Sequence, residues 1–297
     1  MTKDLLPKFR FYQDIQLWPI NADFNYTGWL DNFSKEEQYL AQKILDFFVY
    51  FPDHIINQLF RTVVGRAGYF FRKYDSTWCE ESFSDNCYYS LITGEVRNMS
   101  DSGYSYLLKV REVLGVPQER LKDFDELLII LNDATEPQNV ILTDDFVGTG
   151  NQCRVAWNEQ KYSTLPSLKQ IVKDKGHRVI YVPLIVNERG KNCIEGLCDG
   201  LALEYAYHLG PEWNMFVPDS LCWGGDKKLF EEGTALIKEK SLAIGIADDK
   251  SVCSMKGFGG QGLALGFSHG IPDACPGFFF KEADNWVPLK KKHLKRG

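Results

Sequence analysis

Apolar and polar residues follow one another along the chain in blocks that predict strands. Two segments, 139–146 (NVILTDDF) and 177–186 (HRVIYVPLIV), carry apolar and β-branched runs of the kind found in strands buried on both faces. Residues 88–94 (YYSLITG) predict another strand, which a glycine ends, and residues 262–267 (GLALGF) predict a short final one.

Helical periodicity lies before and between these strands. Residues 30–74 repeat apolar side chains at helical spacing and are interrupted by Pro52, which predicts a pair of helices. Within this segment, Ser34 and Glu37 have the spacing of a capping box. Residues 100–116 predict a polar, glycine-containing turn followed by an amphipathic helix.

Three further segments are less regular. Residues 151–176 contain helical sequence that ends at Gly176. Residues 124–133 (FDELLIILND) fit either a helix or a strand, because a short apolar run does not separate the two. Residues 187–235 scatter glycine, tryptophan and proline, which predicts irregular chain.

The order strand, turn, helix, strand predicts an α/β fold. Such a repeat builds a parallel sheet with helices on its faces. We therefore expect a helical N-terminal cap over residues 1–87 and an α/β core over residues 88–297. The last part of this core, 268–276 together with Trp286, is expected to form a segment that closes over the active face.

Composition and charge narrow the classes of function. The 297 residues are 44% hydrophobic and 25% charged, which is typical of a soluble globular protein. The net charge is −6 although basic residues crowd the stretch 290–296, so the rest of the chain is acidic and a poor general binder of nucleic acids. The basic stretch itself predicts a solvated end, with phosphate contact as the alternative.

Targeting features and cysteine spacing predict a cytoplasmic protein. No apolar run is long enough to span a membrane, and residues 1–20 lack the continuous apolar core of a signal peptide. The eight cysteines include no CxxC pair, which favours free thiols in a reducing compartment. Cys193, Cys198 and His208 do not have the spacing of a common zinc site, so we predict no protein-built metal centre.

The stretch VILTDDFVGTGNQ, residues 140–152, combines the features of a phosphate site. In open α/β sheets, ligands bind outside the carboxyl ends of the strands. A loop between such a strand and a helix offers backbone N–H groups and the positive end of the helix dipole to an anion. Gly148 and Gly150 let the backbone curl close to that anion, and the two preceding aspartates suit the vicinal hydroxyls of an attached sugar.

This stretch resembles the phosphoribosyl-diphosphate (PRPP) motif of the type I phosphoribosyltransferases, in which an apolar strand, two acids and a Thr-Gly phosphate loop follow in that order. The resemblance implies a phosphoribosyltransferase-like parallel sheet, Mg²⁺ as cofactor, and ribose contacts by the catalytic pair Asp144 and Asp145. It implies phosphate contacts for the residues of the loop and helix start, which are Val147, Gly148, Thr149, Gly150, Asn151 and Gln152. The family usually has threonine or serine where this chain has Gln152, whose amide reaches farther than a hydroxyl.

A second resemblance extends over nearly the whole chain. The segments 28–51, SDSG (100–103), the acidic-pair motif, and the ending HGIPDACP…NWVPL resemble a phosphoribosyltransferase-like family found in prokaryotic conflict systems, including retron-type anti-phage operons. The resemblance implies a toxic effector that its partners hold in check. It implies operon partners, namely a reverse transcriptase with its nucleic acid and a DNA-binding protein.

Two supporting sites are predicted outside the motif. A phosphoribosyltransferase also binds pyrophosphate, usually on a turn that opens a helix, and Ser102 and Gly103 lie at such a place; an ordinary N-cap turn is the alternative. Arg97 is the nearest basic residue to this turn. On the acceptor side, His269 is the candidate acid or base, with a structural or solvated loop histidine as the alternative.

Other known motifs fit the sequence less well. No GxxxxGK[ST] pattern occurs near residue 148, which argues against a P-loop nucleotidase. GFGGQG (257–262) has the glycine spacing of a dinucleotide site but precedes a predicted strand and not a helix. For Asp144 and Asp145 a helix N-cap with a solvated acid remains the structural alternative.

The sequence therefore predicts an enzyme that transfers a phosphoribosyl group between PRPP and a nitrogen acceptor, or runs the reverse reaction on a nucleotide. The alternative is a catalytically inactive sensor or scaffold that binds a nucleotide or PRPP in a defence complex. Departure of pyrophosphate leaves an oxocarbenium-like ribose, which nearby carboxylates stabilise, as in glycoside cleavage.

Overall fold

The computed structural model describes residues 4–20, 23–92, 102–249 and 253–292, except for the side chains of residues 102–106. The chain divides into two compact units: unit 1 is formed by Met1–Ile55 and Gly210–Gly297, and unit 2 by Ile56–Leu209. The boundary expected between residues 87 and 88 falls inside unit 2, and the expected division into cap and core stays a prediction.

Helices and strands alternate through the described chain. The helices are α1 (Leu6–Asp14), α2 (Tyr26–Leu30), α3 (Gln38–Phe47), α4 (Asp53–Phe71), α5 (Glu81–Asp85), α6 (Ser102–Leu114), α7 (Phe124–Asp133), α8 (Asn151–Asn158), α9 (Leu168–Lys175), α10 (Glu188–Leu197) and α11 (Lys227–Ala243). The strands are β1 (Val49–Phe51), β2 (Cys87–Leu91), β3 (Asn139–Val147), β4 (Arg178–Asn187), β5 (Ala202–Leu203), β6 (Tyr207–Leu209) and β7 (Leu265–Phe267).

Unit 2 is built on a parallel sheet. Its strand order is β2-β3-β4-β5, and β6 pairs with β4 beyond β5, all in parallel. Helix α6 packs beside β2 and β3, α7 beside β2, and α10 beside β4. Because crossover helices cover a sheet of this kind, the first half of β3 and most of β4 are apolar and buried. The arrangement confirms the predicted α/β class with a parallel sheet flanked by helices.

The core of unit 2 joins β3 and β4 to the helices that cover them. Its buried side chains include Leu127, Leu142, Trp157, Tyr181 and Ile194. These five come from α7, β3, α8, β4 and α10, so one apolar cluster fixes the strands that lead into the candidate site and the helices that follow them.

Unit 1 contains a second, shorter parallel pair of strands and an aromatic core. Strand β1 pairs with β7 in the register Val49↔Leu265. Trp18 stacks on Phe9 with 5.3 Å between ring centroids, and Trp29 stacks on Phe279 at 5.8 Å. Aromatic pairs of this kind stabilise a core beyond their buried area alone.

Helix prediction near the N-terminus holds in its main features. Pro52 separates α3 from α4, as predicted, although β1 occupies the break. The Glu37 carboxylate accepts a hydrogen bond of 2.8 Å from the Ser34 backbone N–H, which is one half of the predicted capping box. The ambiguous segment 124–133 is helix α7, whose N-terminus is capped by the Asp123 side chain.

Of two expectations about later segments, one was wrong and the other holds in part. The stretch 187–235 is not irregular throughout, because it contains α10 and the start of α11. The Asn187 side chain caps α10 by accepting a hydrogen bond from the Arg189 N–H. This capping residue was overlooked in the sequence because glycines are scattered through the same stretch. The predicted strand 262–267 is shortened to β7 and pairs with β1 in unit 1, not with the main sheet.

None of the described helices combines the length and apolarity needed to cross a bilayer. Of the basic stretch, residues 293–297 lie outside the described residues. Lys290, at its start, is buried with 1% of its surface exposed.

Candidate active site

Strand β3 carries the acidic pair in its second half. The first half of the strand is held between two neighbouring strands. Val140, Ile141 and Leu142 are buried between β2 and β4. The strand predicted over 139–146 is present and extends one residue farther, to Val147, which pairs with Val186 of β4. Apolar partners on β4 hold the last residues of β3 in the sheet, so the turn begins only after Val147.

The predicted phosphate loop follows β3 directly and opens helix α8. Gly150 is the N-cap of α8 and has φ +75°, in the left-handed region that favours glycine. Asn151 and Gln152 are the first residues of the helix and are exposed to solvent. The first N–H groups of a helix lack carbonyl partners within it, so this end is suited to an anion.

Helix α10 supports the loop through very close backbone contacts. A β-carbon on Gly150 would come within 2.8 Å of the Gly190 carbonyl oxygen and 3.3 Å of the Cys193 sulfur. A β-carbon on Gly190 would meet the Gly148 carbonyl oxygen at 2.8 Å. Glycine at positions 150 and 190 therefore lets the loop and α10 approach each other more closely than side chains would permit.

The Asp144 carboxyl group accepts two hydrogen bonds from the protein. The Tyr181 hydroxyl donates a hydrogen bond of 2.8 Å to Oδ2 of Asp144. Oδ1 of Asp144 accepts a hydrogen bond of 2.9 Å from the backbone N–H of Asp145. Burial first, and then repulsion by Asp145, raise the pKa of the Asp144 carboxyl well above its usual range, although the bond from Tyr181 opposes this rise.

Three cysteines lie behind the loop. Cys153 of α8 and Cys198, at the end of α10, are buried, and a hydrogen bond between their thiols raises the pKa of Cys153 and lowers that of Cys198. Cys193 contacts Gly150. Through the described parts of the chain, no group of three or more His, Cys, Asp or Glu side chains is arranged to hold a metal ion.

The candidate pyrophosphate turn is only partly described. Helix α6 begins at Ser102 and follows β2, whose Leu91 lies opposite Thr143 of β3. The backbones of Ser102 and Gly103 therefore open a helix after the strand next to the acidic strand, which is where the sequence placed them. Residues 93–101, including Arg97, lie outside the described residues, so the pyrophosphate role stays a prediction.

The two predicted parts of the C-terminal closing segment belong to unit 1. His269 stacks on Phe267 with 5.2 Å between ring centroids. Trp286 is buried, and its indole N–H donates a hydrogen bond of 2.9 Å to the Phe278 carbonyl oxygen. The acceptor-side role of His269 stays a prediction.

Two features of the sheet were not predicted from the sequence. One is Tyr181, and the other is a contact between His208 and Glu188. His208 of β6 lies opposite Val186 of β4, which is itself opposite Val147 at the start of the loop. Its Nε2 atom lies 2.5 Å from a Glu188 carboxylate oxygen. A bond from Asn192 lowers the pKa of Glu188, and the charge of His208 adds to this. The available signals were a tyrosine within the apolar run of β4 and a histidine within β6.

A protein family matches this chain over most of its length. The family model described as PRTase-CE matches residues 26–292. The chain belongs to the PRTase-CE family. This membership confirms the predicted phosphoribosyltransferase-like family, since PRTase abbreviates phosphoribosyltransferase, while the link to retrons stays a prediction.

A solved structure shows a partial likeness. The orotate phosphoribosyltransferase from Aeropyrum pernix, seen in a crystal structure, resembles this PRTase-CE protein with 16% sequence identity and a TM-score of 0.29. The match covers 52% of this chain and 70% of that one. No curated protein matches the sequence significantly.

Proposed function

We propose that this PRTase-CE protein transfers a phosphoribosyl group from PRPP to a nitrogen acceptor, or runs the reverse reaction on a nucleotide. One observation carries the proposal: an acidic pair on β3, the glycine loop and the N-terminus of α8 follow one another at the carboxyl edge of a parallel sheet. This edge is where open α/β sheets bind ligands.

The phosphate part of the ligand would bind at the loop. Donors come from the backbone at Gly148 to Gln152 and from the Thr149 hydroxyl. The left-handed conformation of Gly150 lets the chain turn into α8, whose first N–H groups lack carbonyl partners within the helix, although that of Asn151 makes a long bond of 3.4 Å to the Thr149 hydroxyl oxygen. The partial positive charge of the helix N-terminus adds to these hydrogen bonds.

The carboxylates would act on the sugar. When the bond from C1′ to the pyrophosphate oxygen breaks, the electron pair leaves with pyrophosphate and the ribose gains positive charge. A carboxylate at the ribose hydroxyls favours that charge, so little covalent chemistry is required of the protein. The acidic pair precedes the loop closely in the chain, which is the order expected for a sugar whose phosphate occupies the loop.

Mg²⁺ fits this donor set as an ion carried largely by the substrate. It takes oxygen ligands and keeps several waters, with one or two carboxylates and substrate phosphates completing its shell. Asp145 supplies a carboxylate of this kind, and its side chain is partly exposed. When bound, the ion would neutralise the leaving pyrophosphate.

Calorimetry on the purified protein tests this function. We expect ribose 5-phosphate to bind at least tenfold more tightly than ribose, and Mg²⁺ to strengthen binding of PRPP but not of ribose 5-phosphate. A panel of nucleobases with PRPP and Mg²⁺ is then assayed for release of pyrophosphate. Equal affinities for ribose and ribose 5-phosphate would contradict the proposal.

A binding module without turnover is the second candidate, and Gln152 favours it. Gln152 is an exposed residue in the first turn of α8, at a position where the resemblance leads one to expect a hydroxyl. A sensor or scaffold would bind PRPP and release no pyrophosphate with any base. The same two assays therefore separate the candidates.

In the cell, we propose that the protein is the toxic effector of a retron-type anti-phage system. Membership of the PRTase-CE family supports this role, together with the resemblance to conflict-system proteins. Expression of this chain alone is expected to slow growth, and co-expression of the operon partners is expected to restore it. Asp145→Asn serves as the matched control, since a toxicity that depends on the site is lost in that variant.

A further inference from the structure

The exposed face of helix α4 is basic where the helix belongs to unit 2. Residues 55–74 contain no aspartate or glutamate, although the whole chain has a net charge of −6. Exposed positions recur three or four residues apart, which places them on one face of the helix and of the turn after it. The basic residues of this segment are all exposed: Arg61, Arg66, Arg72 and Lys73.

Two exposed tyrosines lie among these basic residues. Tyr69 is 70% exposed and Tyr74 is 54% exposed. The Arg72 guanidinium lies 5.8 Å from the centre of the Tyr69 ring, and that of Arg178, at the start of β4, lies 5.0 Å from the centre of the Tyr74 ring. A cation near an aromatic ring is attracted to it, which limits the orientations of both groups. The basic aromatic face is defined here as Arg61, Arg66, Tyr69, Arg72, Lys73 and Tyr74.

Contacts with the rest of unit 2 orient two of the arginines but leave the face positively charged. Arg66 donates a hydrogen bond of 3.0 Å to a backbone carbonyl oxygen between β5 and β6, and it lies 3.8 Å from a Glu204 carboxylate oxygen. Nε of Arg72 donates to a backbone carbonyl oxygen at 3.4 Å. Glu204 and Asp75, which follows Tyr74, carry fewer charges than the four basic residues, so the face remains positive.

The composition of this face favours nucleic acid over a protein as its partner. Protein interfaces have an apolar core, whereas the fully exposed positions of α4 in unit 2 are Gln58, Arg61, Thr62, Gly65, Arg66 and Tyr69. A tyrosine ring can stack on any base, and arginine and lysine bind phosphates. Nucleic acid is the class of partner that presents aromatic rings and regularly spaced negative charges together.

Exposed tyrosines favour a single strand over a duplex. Bases of a duplex are stacked on one another, whereas those of a single strand can stack on aromatic side chains. From Arg61 to Lys73 the helical rise gives a length of about 18 Å, which a short strand can follow. The acidic balance of the chain argues against general binding only, because clustered charge attracts a polyanion locally.

We propose that the basic aromatic face binds single-stranded nucleic acid. Tyr69 and Tyr74 stack on bases, while the phosphates lie against Arg72 and Lys73. None of these residues belongs to the candidate active site, so the inference goes beyond the proposed function and does not depend on it.

Fluorescence anisotropy with the full chain tests binding. The probe is a labelled oligothymidylate of about 12 nucleotides, a length within the range of known single-strand sites. We expect its affinity to fall as salt is raised from about 50 to 200 mM, because counterions are released from the phosphates. A duplex of the same length is expected to bind at least about fivefold more weakly, since it offers no free base to the tyrosines.

Tyr69→Ala tests stacking. We expect it to weaken binding of the strand about tenfold without changing the salt dependence, as for the loss of one stacked base. Tyr69→Phe keeps the ring, so its affinity should stay within about twofold of wild type. Tyr162→Ala is the matched control, because Tyr162 is also exposed in unit 2 and has the Lys161 amine 5.7 Å from its ring centre. This control should bind the strand like wild type.

Lys73→Gln tests the phosphate contact. We expect the slope of log K against log salt to become less steep by about 0.7, the change expected when one phosphate contact to a single strand is lost. Lys173→Gln is the control, because Lys173 is an exposed lysine of α9 in the same unit. It should leave the slope unchanged.

Five results would overturn the inference. They are no binding of the strand at about 50 mM salt, equal affinity for strand and duplex, wild-type affinity in Tyr69→Ala, an unchanged slope in Lys73→Gln, and displacement of the strand by ribose 5-phosphate. Displacement would place the strand at the candidate active site.

Oligoglutamate of the same length distinguishes an acidic polypeptide from a nucleic acid. It should compete more weakly than unlabelled oligothymidylate, because it has no bases to stack. Equal competition would overturn the inference and identify an acidic polypeptide as the partner. If wild type failed to bind ribose 5-phosphate but bound the strand, the proposed function would fail and this inference would stand.

Discussion

Gly190 lies against Gly148 so closely that a β-carbon on Gly190 would meet the carbonyl oxygen of Gly148 at 2.8 Å. The same β-carbon would be 2.7 Å from a methyl carbon of Val147. The conformation of the candidate phosphate loop thus depends on a glycine about forty residues farther along the chain. Since backbone cannot give way as the end of a flexible side chain can, any side chain at position 190 must displace the loop or the helix.

We expect Gly190→Ala to weaken binding of inorganic phosphate and ribose 5-phosphate alike, by about tenfold, and to cost about 1–3 kcal/mol of unfolding free energy. Gly196→Ala is the control, because it lies on the same helix and its β-carbon would meet no atom within 4 Å. That change should leave binding intact and stabilise α10 by about 0.5–1 kcal/mol. Calorimetry and urea unfolding on both variants measure the difference, and equal binding would contradict the role of Gly190.

The substitution Gly150→Ala would introduce two unfavourable effects, a steric contact and backbone strain. The residue has φ +75°, and its β-carbon would lie 2.8 Å from the Gly190 carbonyl oxygen. We expect a loss of more than about 2 kcal/mol in unfolding free energy together with loss of phosphate binding.

Gly115→Ala separates the two causes of that loss. Gly115 has φ +69° but would carry a β-carbon with no atom within 4 Å, so only the strain remains, at about 1 kcal/mol. If both variants lost the same stability by urea unfolding, the close contact between the loop and α10 would have no energetic role.

We expect His177 to make the free energy of unfolding depend on pH in the acidic range. Its Nδ1 accepts from the Gln138 N–H at 2.9 Å, so Nε2 carries the proton and donates to the Leu131 carbonyl oxygen at 2.8 Å. Burial lowers the pKa of His177 below its ordinary value of 6.5. The unfolded chain therefore takes up a proton before the folded one does, and stability falls as the pH drops below 6.5.

The comparison is between wild type and His177→Gln in urea unfolding from pH 7.5 to 5. We expect the variant to be less stable at pH 7.5, because it packs less well, and the difference to narrow as the pH falls. His54→Gln is a control from a surface position of α4, exposed in the structure, and its difference from wild type should not narrow. A constant difference for His177→Gln would show that its protonation is not coupled to folding.

Lys290 makes stability rise with pH in the same direction, but in the alkaline range. Its Nζ atom lies 3.4 Å from the Ser268 carbonyl oxygen and 5.8 Å from the centre of the Tyr50 ring. Burial lowers the pKa of Lys290 below 10.5, although the charge of Asp23 opposes this. The folded state disfavours the charged amine, so its destabilising effect is full at neutral pH and declines as the pH rises toward 10.5.

Wild type is therefore expected to gain stability relative to Lys290→Met between pH 7 and about 10. Lys227→Met removes a lysine whose side chain is 86% exposed and should give no such trend. Chemical unfolding at four pH values measures both. A Lys290→Met difference that did not change with pH would mean that the buried amine titrates as it does in the unfolded chain.

The parts of the fold that were predictable from sequence are those in which one segment contains its own signal. Strand β4 is buried from Val179 onward, and its run of apolar residues shows this directly in the sequence. Helix α10 was missed because ERGKNCIEGL is mostly polar and carries two glycines. Gly190 is there for its contact with the loop, and nothing within its own helix indicates that partner.

The same distinction between local and non-local signals applies to the candidate site. The order of residues from Asp144 to Gly150 is local, and it was sufficient to predict an acidic pair before a phosphate loop. The bond between Tyr181 and Asp144 joins two strands through the register of the sheet, and periodicity does not fix that register. For the same reason the pairing of His208 with Glu188 could be seen only in three dimensions.

The division of the chain also sets an order of events during synthesis. Unit 2 is formed by one continuous segment, Ile56–Leu209, whereas unit 1 takes strand β1 from the beginning of the chain and strand β7 from near its end. On the ribosome, the sheet that carries the acidic pair is complete before residue 210 is added. Strand β1 lacks its partner until residues 265–267 have been added, and during that interval the apolar side chains that it shares with β7 are not yet buried against that strand.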